Sequence, residues 1–124
     1  MISVDYKDRT PIYEQIIASI EQLIALGVLR QDEKLPSVRS LAIELSINPN
    51  TIQKAYTVLE TKHVIYTVKG IGNFVSKNDD DIKRKKLEEV FHRIEHEVVE
   101  AKTYGLDKTM LHAWTTKLGE VLDD

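Results

Sequence analysis

The sequence contains no cysteine, which excludes disulfide bonds and thiol-based catalysis. It also has no apolar run long enough to span a bilayer and no signal-peptide pattern at its N-terminus. We therefore expect a soluble, cytoplasmic protein without a membrane partner. The patterns that mark many enzymes are missing too, because no nucleophile elbow, phosphate-binding loop or HExxH pair occurs. We expect neither catalysis nor a cofactor.

The charge of the chain is divided unevenly along its length. The 124 residues are 42% hydrophobic, enough for one small domain with an appendage, and the net charge is −3. Residues 34–77 carry six basic and two acidic side chains, a net charge of +4. Residues 78–124 carry eight basic and twelve acidic side chains, a net charge of −4. The positive segment is suited to contact with phosphates.

Residues 35–60 show the pattern of two short helices joined by a tight turn. Ser37 can cap the first helix, and Asn48 can cap the second, with Pro49 at a first position where a missing N–H costs nothing. Apolar residues recur at helical spacing on each helix. They are Leu41, Ala42 and Leu45 on the first helix, and Ile52, Ala55, Tyr56 and Leu59 on the second. The pattern predicts a helix-turn-helix.

The face of the second helix that lies opposite this apolar stripe is polar. Its residues are Asn50, Gln53, Lys54 and Thr57, with Thr51 at the edge. Amides, hydroxyls and a cation can contact base edges and phosphates, so we interpret the face as a surface for double-stranded DNA. Two alternatives remain open: an ordinary helical hairpin with a solvated face, and a winged-helix module that docks onto another protein. The positive charge of residues 34–77 favours DNA.

A β-hairpin is predicted to follow the two helices. Residues 64–68 and 73–76 have the composition of strands, and residues 69–72 form the turn between them. Gly70 and Gly72 allow positive φ angles and a close approach to a sugar-phosphate backbone. The resulting fold class is mainly α with a small β-hairpin wing, a winged helix-turn-helix over residues 1–77.

The first 30 residues are predicted to buttress this unit. Thr10 is the expected cap of an N-terminal helix, Pro11 its first residue, and Gly27 its end. The apolar face of this helix consists of Tyr13, Ile16, Ile17, Ile20, Leu23 and Ile24. A short strand is expected at residues 2–4.

Residues 78–124 are predicted to form a separate appendage of two helices. The acidic run at residues 78–81 suits the start of a long helix that ends at Gly105, and Asp107 can cap a second. The apolar residues predicted to form the dimer contact are Leu87, Phe91, Ile94, Val98, Leu111, Trp114 and Leu118. One helical hairpin cannot bury both stripes, which predicts a two-fold homodimer. Folding of the stripes back onto the winged helix is the alternative.

His92 and His96 stand one turn apart on the long helix, in line with Glu88 and Glu100. They could form half of a metal site or a pH sensor, with His112 as the candidate third ligand. Histidines on the surface of a charged helix are far more common. We therefore predict no metal site.

The motifs together resemble those of GntR-type bacterial transcription regulators over about residues 10–76. The matching stretches are PIYEQI at 11–16, GVL at 27–29, KLPSVR at 34–39, NPNTI at 48–52, AY at 55–56, LE at 59–60 and GIGNFV at 70–75. The short remainder of the chain is similar to the YtrA-like branch. The resemblance implies a transcription regulator, specifically a repressor, that binds a palindromic operator as a dimer.

The resemblance also implies roles for individual residues. Arg39 aligns with the arginine that contacts DNA in the family. Asn50, Thr51 and Gln53 are candidates for reading bases or the adjacent backbone; Ser37, Asn48 and Lys54 for phosphates; Lys69 and Gly70 for the wing. His63 stands where the family often has glycine, which predicts a left-handed backbone there. Neither the operator sequence nor an effector is indicated.

Overall fold

The computed structural model of the chain describes residues 1–76 and 79–123, and it is mainly α-helical with one two-stranded antiparallel hairpin. Its elements are α1 (Ile12–Ala25), α2 (Val38–Leu45), α3 (Pro49–Thr61), β1 (Ile65–Val68), β2 (Gly72–Val75), α4 (Asp79–Thr103), α5 (Lys108–Gly119) and a 3-10 turn (Glu120–Leu122). The predicted fold class is confirmed. The chain divides into two compact units, Met1–Arg84 and Lys85–Asp124. The boundary predicted between residues 77 and 78 lies outside the described residues.

The two central helices begin where their capping residues predict. The Ser37 Oγ accepts a hydrogen bond from the Ser40 N–H at 3.0 Å, and the Asn48 Oδ1 accepts one from the Asn50 N–H at 2.8 Å. Ser46, with φ of 55°, ends α2 in the left-handed region. The Ile47 N–H then donates to the Ala42 carbonyl at 2.9 Å. These short-range bonds build the predicted helix-turn-helix.

α1 begins one residue later than predicted. Pro11 occupies the N-cap position with ψ of 142°, and no side chain caps the helix. The predicted cap at Thr10 is therefore wrong; its carbonyl instead accepts a hydrogen bond from the Gln15 Nε2 at 2.8 Å. Gly27, at φ of 76°, follows the end of the helix as predicted.

The strand predicted at residues 2–4 is wrong, because these residues are described and form no strand. The backbone N–H groups of Ser3 and Asp5 are bound by side chains of α1. The Ser3 N–H donates to the Ser19 Oγ at 3.3 Å, and the Asp5 N–H donates to the Gln15 Oε1 at 2.7 Å. Ile2 is buried in the core. The apolar pattern of this segment therefore reflects burial without a strand partner.

In the wing, β1 pairs with β2 so that Ile65 lies opposite Val75 and Val68 opposite Gly72. The other edge of β2 is bound by residues 32–35, which the sequence did not predict. The Leu35 N–H donates to the Asn73 carbonyl at 2.8 Å, and the Val75 N–H donates to the Glu33 carbonyl at 2.9 Å. His63 has φ of 60°, which confirms the left-handed backbone expected there.

The core of the first unit lies between α1, α2, α3 and the base of the wing. α3 is central, since it packs on α1, α2 and β1. The buried side chains on α3 are those predicted, namely Ile52, Ala55, Tyr56 and Leu59. The Tyr56 hydroxyl donates to the Pro36 carbonyl at 2.7 Å, and burial raises the pKa of Tyr56. This bond fixes α3 against the start of α2.

The second unit has well-defined helix ends but no buried residue among residues 85–123. Gly105, with φ of 94°, follows α4, and the Asp107 Oδ1 caps α5 by accepting from the Met110 N–H at 2.9 Å.

Within residues 1–76 and 79–123, no helix is long and apolar enough to cross a membrane. Across the same residues, no group of three His, Asp or Glu side chains could hold a metal ion, so His92 and His96 gain no third ligand.

Candidate nucleic-acid interface

The outer face of α3 is polar and accessible. Asn50, Gln53, Lys54 and Thr57 are exposed, and Thr51 is half-buried at the edge. The predicted rotation of this helix is therefore confirmed. Because Ile52, Ala55, Tyr56 and Leu59 anchor the opposite face, the polar face of α3 has a fixed orientation relative to the core. Such a face can present amide and hydroxyl groups to base edges.

One flank of α3 borders the wing. Gln53, Thr57 and Glu60 follow one another along this flank at helical spacing. The Gln53 Nε2 donates to the Thr57 Oγ1 at 3.2 Å, and the Thr67 hydroxyl of β1 donates to the Glu60 carboxylate. The bond to Thr57 orients the Gln53 amide, which has further donor and acceptor positions that suit a bidentate contact with adenine.

The other flank of α3 borders α1. The Lys54 Nζ lies 3.9 Å from the centroid of the Tyr13 ring, and the Lys62 Nζ lies 3.0 Å from a carboxylate oxygen of the buried Glu21. The Tyr13 hydroxyl donates to the Glu14 Oε1 at 3.2 Å, and this hydrogen bond raises the pKa of Tyr13. Lys54 therefore has a defined neighbour on α1.

Three further candidate residues lie at the start of α2 and α3. Ser37 and Asn48 are the caps of these helices, and both are exposed. Arg39 is the second residue of α2 and is exposed; no ion pair engages it among the residues that the structure describes. An arginine in this state has all its donors available to a base or a phosphate. The contacts of these residues with DNA stay predictions.

Lys69 and Gly70 lie at the exposed tip of the wing, as predicted. Gly70 has φ of 78° and no atom near its missing Cβ, so only the backbone conformation favours glycine there. Gly72, with φ of 149°, is also packed closely, because a Cβ at this position would lie 2.8 Å from the Lys34 Cε. Ile71 is 61% exposed, so the tip has an apolar component beside its single lysine.

A separate feature is an apolar cleft in the unit Lys85–Asp124. It has a volume of about 690 Å³ and is lined by residues of both α4 and α5. Five of the seven predicted dimerisation residues line it: Ile94, Val98, Leu111, Trp114 and Leu118. The other two, Leu87 and Phe91, lie outside the lining and are 52% and 54% exposed. In the single chain the cleft is open to solvent.

The first unit has a helix-turn-helix followed by a hairpin. The outer face of α3 is polar, and α2, α3 and the wing tip each carry an exposed cation. These features define a winged helix-turn-helix DNA-binding protein. The family described as bacterial regulatory proteins, gntR family, matches residues 12–75, which is more than half of the chain. The chain belongs to the GntR family of DNA-binding transcription regulators.

Relatives extend the similarity beyond the winged helix. The chain is 35% identical to the HTH-type transcriptional repressor YtrA of Bacillus subtilis, over 95% of this chain and 92% of that protein. The crystal structure of a transcriptional regulator from Oenococcus oeni superposes with a TM-score of 0.83 and 28% identity, over 95% of this chain and 98% of the other. AraR(DBD) in complex with operator ORE1 matches with a TM-score of 0.53 and 28% identity, over 61% and 93% of the two chains.

Several contacts between elements around this site could not be predicted from the sequence. Among them are Lys54 over the Tyr13 ring, the Thr67 hydroxyl on Glu60, and Lys34 against Gly72. Tyr13 was predicted only as part of the apolar face of α1. No local sequence pattern predicts these contacts, because each contact joins residues from different parts of the fold. The apolar spacing of α1 and α3 was the nearest available signal, since it shows that both helices face the core.

Proposed function

We propose that the protein is a transcriptional repressor that binds a palindromic operator as a homodimer. Each copy inserts the polar face of α3 into the major groove and lays the wing tip along the neighbouring backbone. Membership of a family of DNA-binding regulators supports the DNA contact. The similarity to YtrA, which is named a repressor, supports the direction of regulation.

The observation that carries the dimer is the open apolar cleft between α4 and α5. Trp114 and Leu118 on its wall are 56% and 53% exposed, and Ile94 is 51% exposed. Single exposed apolar residues are common, but a continuous apolar cleft of about 690 Å³ favours a partner surface. A second copy of the chain always has the matching helices available, which favours a two-fold homodimer.

The dimer explains how a small unit binds an operator tightly. In the dimer, two winged helices are joined through their C-terminal units. Once one winged helix is bound to its half-site, the other is held near the second half-site at a high effective concentration. A two-fold protein matches an operator whose half-sites are inverted repeats. Loss of the dimer contact therefore weakens operator binding even where the winged helix is intact.

The test is substitution of residues inside and outside the cleft. Ile94→Glu and Leu118→Glu place a charge on the cleft wall, and we expect both variants to be monomers with much weaker operator binding. Val99→Glu is the matched control for Ile94→Glu, because Val99 also lies on α4, is 69% exposed and does not line the cleft. Analytical ultracentrifugation at micromolar concentration gives the oligomeric state.

A parent protein that sediments as a monomer contradicts the dimer. A Val99→Glu variant that dissociates as readily as the cleft variants contradicts the assignment of the cleft as the dimer contact. The operator is tested by footprinting the DNA upstream of the gene. A protected inverted repeat supports the palindromic site. Transcription in vitro from that promoter should fall when the protein is added; an increase would show an activator.

A further inference from the structure

Lys54 is exposed on α3, yet its ammonium group lies against another helix. The Nζ is 3.9 Å from the centroid of the Tyr13 ring, and Tyr13 is the second residue of α1. The ring is half-buried, so its position is set by the packing of α1 on α3. The contact therefore links a residue of the DNA-facing surface to the helix that supports it.

The contact with the Tyr13 ring leaves the N–H donors of the Lys54 ammonium group available to a DNA phosphate. The negative face of an aromatic ring attracts a cation without accepting a conventional hydrogen bond. An ammonium group has three N–H donors, which can still bind phosphate oxygens. The Tyr13 hydroxyl is used elsewhere, since it donates to the Glu14 Oε1 at 3.2 Å. The part of the Tyr13 side chain that contacts the Lys54 ammonium group is thus the ring face.

A flexible lysine loses much side-chain freedom when it binds a phosphate. A lysine that is already held by a ring loses less, because part of this freedom has been given up before DNA arrives. Lys54 lies on the flank of α3 that borders α1, whereas Gln53 and Thr57 lie on the flank that borders the wing. In the proposed docking, an ammonium group on the α1 flank is suited to the phosphate backbone that borders the groove.

We propose that Tyr13 is a positioning residue for DNA binding, whose ring holds the Lys54 ammonium ready for a DNA phosphate. The inference rests on the proposed placement of α3 in the major groove. It assigns Tyr13 a role beyond its part in the core. A purely structural bridge between α1 and α3 would change the stability of the fold and leave the DNA affinity of the folded protein unchanged.

The test is a double-mutant cycle on the full chain, with Tyr13→Leu, Lys54→Met and the double variant. Binding to a random-sequence duplex is measured by fluorescence anisotropy across a range of salt concentrations. Tyr13→Leu should weaken binding by roughly 2- to 10-fold, the loss expected for one freed side chain. Lys54→Met should weaken binding and reduce the salt slope by about one. The double variant should bind no more weakly than Lys54→Met.

Tyr13→Phe is the matched control, because it keeps the ring and removes only the hydroxyl; it should bind like the parent. Circular dichroism checks that each variant is folded, and Tyr13→Met replaces Tyr13→Leu if that variant unfolds. Independent, multiplicative losses from Tyr13→Leu and Lys54→Met would overturn the proposal. A salt slope in Lys54→Met that equals that of the parent would also overturn the proposal. In that case, salt-dependent binding by the parent would still support the proposed contact with DNA. A parent without such binding would refute the proposed function itself.

Discussion

The two units of the chain differ in where their apolar side chains lie. In the unit Met1–Arg84, residues from Ile2 to Ile82 form one buried cluster. In the unit Lys85–Asp124, none of the described residues is buried, and Phe91, Trp114 and Leu118 are each more than half exposed. Both units have regular amphipathic helices. In the first unit the apolar faces are buried against other elements of the same unit, whereas in the second unit they remain exposed to solvent.

The difference shows that an apolar stripe indicates burial but does not say what provides it. α3 lies between α1, α2 and β1, so its stripe is covered within the same chain. The stripes of α4 and α5 together line an open cleft. We infer that the first unit gains its stability from its own core and that the second gains much of its stability from association.

The largest expected effect compares one leucine from each unit. Leu59 is fully buried, so Leu59→Ala should lower the free energy of unfolding by about 2–5 kcal/mol. Leu118 is 53% exposed, so Leu118→Ala should change the stability of dilute monomer by less than about 0.5 kcal/mol. Urea denaturation measures both.

Repeating the urea experiment at high protein concentration sharpens this comparison. The loss from Leu118→Ala should then grow, because a dimer that covers the cleft is stabilised by mass action. Losses of equal size in the two units at low concentration would show that the C-terminal unit is packed by itself.

A smaller effect is expected from surface cations. Arg39→Ala should weaken operator binding by about 1–3 kcal/mol per half-site if the arginine makes a bidentate contact with guanine. Lys85→Ala removes an exposed cation from the other unit and should leave operator affinity near that of the parent. Fluorescence anisotropy with a labelled operator duplex compares the two.

Circular dichroism should show that both variants are folded. If Arg39→Ala binds the operator like the parent, the assignment of Arg39 to the interface is wrong. If Lys85→Ala is the weaker binder, the DNA contact is not confined to the winged-helix unit.

The smallest change in total affinity is expected at Gln53, which has no charge to attract phosphates. Gln53→Ala should relax the preference at one base pair per half-site and leave binding to random DNA nearly unchanged. Gln31→Ala is the control, because Gln31 is also exposed and lies outside α3. Binding-site selection with both variants gives the preferred sequences. Selection of the parental operator by Gln53→Ala would show that Gln53 does not read bases.

Much of the winged helix could be predicted from the sequence because its signals act over a few residues. Ser37 and Asn48 cap their helices through backbone groups two or three residues away. The left-handed backbone at His63 and the turn at Gly70 are likewise local. The cap of α1 was misplaced by one residue, since both Thr10 and Pro11 are compatible with a helix start and the backbone angle at Pro11 decides between them.

The contacts of the candidate site were less predictable. Residues 32–35 bind the free edge of β2. That short segment has no alternation of apolar and polar residues that would predict pairing with a strand some 40 residues away. The sequence placed Lys54 on the outward face of α3 but gave no sign of the Tyr13 ring beneath its ammonium group. Both depend on the distance and angle between elements.

The sequence by itself determined where α2 and α3 begin, which face of α3 is buried, the left-handed backbone at His63, and the family to which the chain belongs. Tertiary structure alone decided that one flank of α3 borders α1 and the other the wing, that Lys34 packs on Gly72, and that α4 and α5 enclose an open cleft. The physical reason is range. Capping, helical spacing and backbone preference act between near neighbours in the chain, whereas these contacts exist only after whole elements have packed against one another.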